Sequence, residues 1–447
     1  MNSLIEESAE NEMKKILFIG AGIIDKPHAA GITVRSIFDG INTSFVMGLV
    51  WGEAASKTKA PFELKKLFYS KFSPARFLDN TRLKQTSHKI KKAESTVVRD
   101  EMRSNQSSPV RKMIRNIRQR IALIPAGARV IVKARDLEEI RAFSPQVIYT
   151  VGESVATLRL AYQLSEKLEI PIVIHFMDNW KHSIEWASNP LLKRYQKKLS
   201  RYCDLCYTRT TECIAIGERM AEAYEKETGV KHRIIMNSVD TQKWFCTPRQ
   251  DDGMTHFIYA GGLHLGRENA LRTIGECIER LNEKGGYRAD FSIYTSDNNI
   301  DLYSAKFNHL NSTFFRKAIP HDQIHTAYQD SDVLVHVESN ALFNNEFFKY
   351  SVSTKIPEYM ATGRPILFYG PENIYLFGFL RNNQLAYTVK DEEEIESVLM
   401  ELIIHKENKY SENARNYVAQ HFDVSVARQR FYSVIENVHL PSDDRTS

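Results

Sequence analysis

Cysteine is scarce in this 447-residue chain: Cys203, Cys206, Cys213, Cys246 and Cys277 form no even, closely spaced framework. That excludes a small scaffold stapled by disulfides. Cys203 and Cys206 make a single C-x-x-C inside SRYCDLCYTRT, but no second pair or histidine cluster accompanies it. The pair therefore reads as packing rather than metal or redox chemistry, and a reducing cytoplasm is the expected location. No apolar run approaches the ~18 to 20 residues that a membrane span requires, which argues against an integral membrane protein. The N-terminus, MNSLIEESAENEMKK, is polar and acidic, unlike a signal peptide. No metal-binding motif is evident. What remains, 43% apolar and 26% charged residues, is ordinary globular composition, and the length allows two to three domains.

The net charge of +5 is unevenly spread. Residues 55 to 135 hold 21 Lys and Arg against 5 Asp and Glu, so this stretch is strongly basic and the rest of the chain is acidic. A basic block attracts polyanions such as nucleic acid, an anionic membrane leaflet or a lipid-linked phosphate, unless it is simply a solvated insertion. Within it, FELKKLFYSKF and VRKMIRNIRQRIALI space Leu, Phe and Ile three to four residues apart between cations. That spacing predicts basic amphipathic helices over Phe62 to Phe77 and Val110 to Ile124, suited to an anionic membrane surface through Lys65, Lys66 and Lys71. Nucleic acid is not expected as a partner, because the aromatics cluster in Phe62 to Phe77 and form no regular stacking platform.

Strands and helices alternate in two blocks. KKILFIGAG predicts a buried strand, followed by Gly31 ahead of a helix in HAAGITVRSIFDGI and a second strand in SFVMGLVW. After the basic insertion come the strand PQVIYTVG, the helix ESVATLRLAYQLSEKL and the strand IPIVIHFMD, whose end carries His175 and Asp178. Residues 241–253 lack periodicity and read as a linker, after which THFIYAGGL restarts the alternation. The fold class expected is α/β, with two doubly wound, Rossmann-like domains facing across a cleft. The first spans 1–240 with an insertion at about 55–135, the second 254–425, and a helix and tail follow at 426–447.

STKIPEYMATGRPILFYG, Ser353 to Gly370, poses a sharper question: it places a single carboxylate, Glu358, in a short helix just before an apolar strand. Ser353 or Thr354 suits the N-cap, Pro357 the first turn and Gly363 the C-terminal stop. The free amides at such a helix start can receive a phosphate or another anion. The same pattern also describes a solvated helix feeding a core strand.

Five segments in order resemble the large "group 1" (family 4-like) class of GT-B-type, retaining glycosyltransferases of bacterial surface polysaccharide biosynthesis. They are AIGERMAEAYEKETG, RIIMNSVDTQKWF, FIYAGGLHLGR, YQDSDVLVHVES and STKIPEYMATGRPIL. The resemblance implies an enzyme, a metal-independent hexosyltransferase with no cofactor, that uses a nucleotide-diphosphate sugar as co-substrate. Its acceptor would be a saccharide or lipid-linked saccharide, and its place the cytoplasm, with a peripheral position at the inner face of the membrane as a further expectation. By the same resemblance Glu358 grips the donor ribose, Gly261 and Gly262 approach the diphosphate, and Arg267 and Lys355 neutralise it. Gly31 stands in a first-domain loop near the donor. Asp178 and His175 occupy the acceptor side as catalytic candidates, with Asp178 preferred. A turn role for Asp178 and a core role for His175 are the alternatives.

The chain departs from the pattern at two places. Tyr350 stands eight residues before Glu358 where a second glutamate is usual, with Glu346 out of register, and Gly262 replaces an arginine. Two other readings stay open here: a nucleotide-sugar epimerase on the same scaffold, and a non-catalytic glycosyltransferase-like partner subunit.

Overall fold

A computed structural model describes residues 13–25, 29–52, 54–70, 73, 75, 126–179, 181–182, 190–263, 266–321, 323–338, 350, 353–405 and 409–442. Val110 to Ile124, Lys71 and Glu346, all named above, lie outside these residues. The chain divides into two compact units, one running to Ser238 and resuming at Val424, the other built on Val239–Asp423.

The first unit is a sheet of eight strands: β1 Ile16–Ile19, β2 Val46–Trp51, β3 Glu63–Tyr69, β4 Val130–Ile131, β5 Val147–Thr150, β6 Ile172–Phe176, β7 Glu212–Ala215 and β8 Lys231–Ile234. Their order is β4-β3-β2-β1-β5-β6-β7-β8. All neighbours are parallel except β3 and β4 at the edge. Central strands such as ILFI and IVIHF are buried at every position, as parallel strands flanked on both edges and covered on both faces must be. The helix Val424–Asn437 returns to this unit because Phe431 packs edge-on against Phe38 and Tyr149, with ring centroids 5.4 and 5.3 Å apart.

The amphipathic helix expected over Phe62 to Phe77 is not formed in its first half, where Glu63–Tyr69 is strand β3, paired in parallel with β2 from Met47↔Glu63 to Trp51↔Leu67; residues 71, 72, 74, 76 and 77 lie outside the described residues. Leu67 and Tyr69 point inward while Phe68 is 61% exposed, a period of two. An apolar spacing this short satisfies both templates, and pairing along β2 decides between them. Lys65 does not stand free on a surface either. Its ammonium is enclosed and paired with Asp136 and Glu139.

The second unit holds six parallel strands in the order β11-β10-β9-β12-β13-β14. They are β9 Thr255–Ala260, β10 Ala289–Thr295, β11 Thr313–Lys317, β12 Val333–Val337, β13 Ile366–Tyr369 and β14 Tyr387–Val389. This is the 3-2-1-4-5-6 winding of a nucleotide-binding sheet, so the strand order reverses between β9 and β12. Residues 241–253 pack onto this unit. The Cys246 amide donates to the Thr362 carbonyl at 3.0 Å, and Arg249 pairs with Asp252 and Asp332. Two parallel-sheet α/β domains are thus present, as the alternation of strands and helices implied.

Candidate functional site

The carboxyl ends of β9 and β12 flank the reversal point of the second sheet, and that is where its ligands are expected. A cavity of about 350 Å³ opens on the β9 side of that point, along the carboxyl ends of β9, β10 and β11, and is lined among others by Gly261, Gly262, Thr295, His321, Lys355 and Glu358. Four of the residues singled out from the sequence therefore meet in one place.

Each is held for an evident reason. The helix Lys355–Thr362 starts after Thr354, carries Pro357 in its first turn and stops at Gly363, whose φ of +76° is the left-handed conformation that glycine adopts freely. Its first turn delivers Lys355 and Glu358 to the cavity wall. Glu358 is 6% exposed, and its Oε1 lies 2.7 Å from His321 Nε2. At Gly261 a Cβ would stand 2.1 Å from Lys355 Nζ, so the bare backbone is what lets the ammonium lie there. The ammonium thus rests directly on the glycine turn, 4.9 Å from the centroid of the Tyr259 ring. Burial, reinforced by repulsion from Arg267, pushes Lys355 down to about 8, against the opposing pull of Glu338 and Glu358.

Arg267, the other expected phosphate-binding cation, is committed elsewhere. Its Nη2 donates to both oxygens of Glu338, at 2.8 and 3.1 Å, and both side chains are largely enclosed. His336, two residues earlier on the same side of β12, meets Glu338 at 3.1 Å. Burial pushes the Glu338 carboxyl up, yet His336 and Arg267 outweigh it and hold the group below its ordinary range. Glu338 and His321 went unremarked in the sequence. A usable signal was the i, i+2 pair of polar residues ending an otherwise apolar strand, HVE, since such a strand buries whatever it carries. Tyr350, in the place of the usual second glutamate, is half-buried.

The remaining candidates belong to the first unit. His175 is fully buried, with Nδ1 2.8 Å from the Tyr149 hydroxyl, and burial pushes it down to about 3. At 0% exposure it is placed as the core histidine that the sequence left open as the alternative to a catalytic role. Asp178 stands two residues beyond β6, half-buried, in a loop that is pinned on its far side. The Tyr224 hydroxyl donates to Asn179 Oδ1 at 2.9 Å, and Lys181 Nζ pairs with Asp204 at 2.7 Å and Glu227 at 2.6 Å. Gly31, expected in a loop, is instead the third residue of the helix Ala29–Phe38. At the first sheet's own reversal point, beside β1 and β5, a second cavity of about 330 Å³ is lined by Gly20, Trp51, Tyr69, Glu153 and Thr157.

Among the described residues no group of three or more His, Cys, Asp or Glu could hold a metal ion. The five cysteines are free and buried, and no helix of the described residues is long and apolar enough to cross a membrane.

No protein-family model matches the chain, and no curated protein matches it by sequence. Solved structures do. Anabaena HepE in complex with UDP and glucose is similar over 95% of this chain and 100% of its own, at 13% identity and a TM-score of 0.58. Sucrose-phosphate synthase from Thermosynechococcus elongatus is similar over 94% and 98%, at 11% identity and a TM-score of 0.58. The fold is that of the GT-B glycosyltransferases. A glycosyltransferase from Rickettsia africae extends the likeness, covering 95% of this chain and 99% of its own at 11% identity and a TM-score of 0.57. In the GT-B frame the cavity at the ends of β9, β10 and β11 lies in the carboxyl-terminal domain.

Proposed function

We propose that this protein is a glycosyltransferase that moves a sugar from a nucleotide-diphosphate donor to a saccharide or lipid-linked acceptor in surface polysaccharide or glycolipid assembly. One observation carries the reading: at the carboxyl ends of the second sheet's strands, an enclosed carboxylate, Glu358, and an ammonium, Lys355, resting on a glycine turn share one cavity. A carboxylate suits the vicinal hydroxyls of a ribose, and a cation over bare backbone suits a diphosphate. Lys355 is the cation offered to the phosphates, because Arg267 is engaged by Glu338. Lys355 would thereby stabilise the charge that grows on the leaving diphosphate. The neighbouring folds solved with UDP support the same assignment.

The reaction proposed retains configuration and needs no metal. The departing phosphate oxygen takes the acceptor proton, and Asp178 orients the acceptor hydroxyl from its pinned loop. The basic stretch at 55–135 is proposed to bring the enzyme to an anionic membrane surface, where a lipid-linked acceptor would be met. Flotation with anionic against neutral liposomes tests that part separately. The central test is thermal shift with UDP, GDP and dTDP and their sugars. A bound nucleotide at a hundred times its Kd stabilises by about 2 to 3 kcal/mol. Glu358→Gln is expected to weaken the active nucleotide at least tenfold, about 1.4 kcal/mol. No shift with any nucleotide would refute the donor site.

A further inference from the structure

We infer that His321 is a positioning residue of the donor site, which holds the Glu358 carboxylate in the orientation that receives the ribose diol. The inference rests on the donor-site reading above. Glu358 is enclosed on a helix, and a glutamate side chain has three rotatable bonds, so its two oxygens are not directed by burial alone. Among the described residues His321 is its hydrogen-bond partner: Nε2 meets Oε1 at 2.7 Å. Oε2 and the second lone pair of Oε1 remain for a ligand.

The imidazole is itself placed firmly. It sits between β11 and the helix Ile324–Gln329, in a stretch tied down by the Ala318 amide on the Thr295 carbonyl at 2.8 Å and by the Gln323 amide on the Pro320 carbonyl at 2.9 Å. Trp244, only 8% exposed, backs the ring with centroids 5.7 Å apart. A half-exposed histidine paired with a carboxylate is often an incidental surface contact worth little. Here the carboxylate is buried, the ring is backed, and both line the same cavity. A single fixed hydrogen bond then sets the direction of the group proposed to select ribose.

The position of the donating nitrogen makes the inference testable. Glutamine places its amide nitrogen as many bonds from Cα as histidine places Nε2, whereas asparagine falls short. Binding of UDP and GDP, and of their 2′,3′-dideoxy counterparts, is measured by calorimetry on the whole protein for the wild type, His321→Gln, His321→Asn and His321→Ala. The expected result is that His321→Ala and His321→Asn weaken the preferred nucleotide by about tenfold, as loss of one well-directed charge-assisted hydrogen bond implies. His321→Gln recovers most of that loss, and all four proteins bind the dideoxy analogue equally within about twofold. Added to Glu358→Gln, His321→Ala costs nothing further, because the two act through one group. Wild-type binding with His321→Ala unchanged, or an equal loss for ribose and dideoxyribose nucleotides, overturns the inference and leaves the donor site standing. Failure of the wild type to bind either nucleotide overturns both.

Discussion

Gly261→Ala isolates the role of Lys355 without touching Lys355. The added methyl carbon would stand 2.1 Å from Nζ and 3.0 Å from the Tyr259 hydroxyl. Carbon and nitrogen need about 3.5 Å, so the ammonium must withdraw by more than about 1 Å. The first obstacle is the tip of a flexible side chain, and Gly261 is not among the glycines with positive φ, so alanine is compatible with the backbone there. Fold stability should change little. The cation, however, leaves the position in which it covers the glycine turn. If it meets the diphosphate there, the loss is that of a hydrogen bond between charged groups, about 1.5 to 3 kcal/mol, or roughly 10- to 150-fold in affinity. Isothermal titration with the preferred nucleoside diphosphate reads this directly, with the corresponding nucleoside as control. Lys355→Met should produce a similar loss, and the double variant should be no weaker than either single one. A folded Gly261→Ala protein that binds the diphosphate like the wild type would refute the placement of the phosphates on this turn.

Further outcomes are expected. Lys355, pushed down to about 8, is charged below that pH and neutral above it, so diphosphate affinity should fall about tenfold between pH 7 and 9 and stay level in Lys355→Met. Fold stability should move the other way: the unfolded lysine still binds its proton between about 8 and 10.5, so the wild type gains stability as pH rises through that window. Glu338→Ala leaves the enclosed Arg267 guanidinium without its carboxylate and should cost about 3 kcal/mol or more, measured by urea denaturation; a loss under 1 kcal/mol would show that the pair is solvated. His175→Ala should lower stability by about 2 to 3 kcal/mol while turnover per folded molecule is kept, whereas Asp178→Asn should lower turnover with donor affinity unchanged.

How much of this was legible in the chain differs from one segment to the next. The bounds of the helix Lys355–Thr362 could be read, because its first-turn proline and its terminal glycine act locally, although Thr354 makes no side-chain cap. The buried strands ILFI, IVIHF and VLVHV could be read for a similar reason: apolar runs that short, set between helices, have few other ways to be buried. Strand β3 could not, since its residues satisfy two periodicities and only the free edge of β2 selects one. Nor could the return of Val424–Asn437 to the first unit, which depends on Phe38 and Tyr149, far away in sequence.

The same division runs through the site. Glu358, Lys355 and the glycine turn were visible as residue types in order, because backbone access and charge are properties of local sequence. The partners were not. That Arg267 is held by Glu338, that Lys355 is the cation left over Gly261, and that His321 meets Glu358 follow from how the segments after β9, β11 and β12 come together in space. Local sequence determined which elements form and which chemical groups they carry. Tertiary structure alone decided which of those groups are paired and which, like His175, are buried, because pairing and burial depend on long-range neighbours.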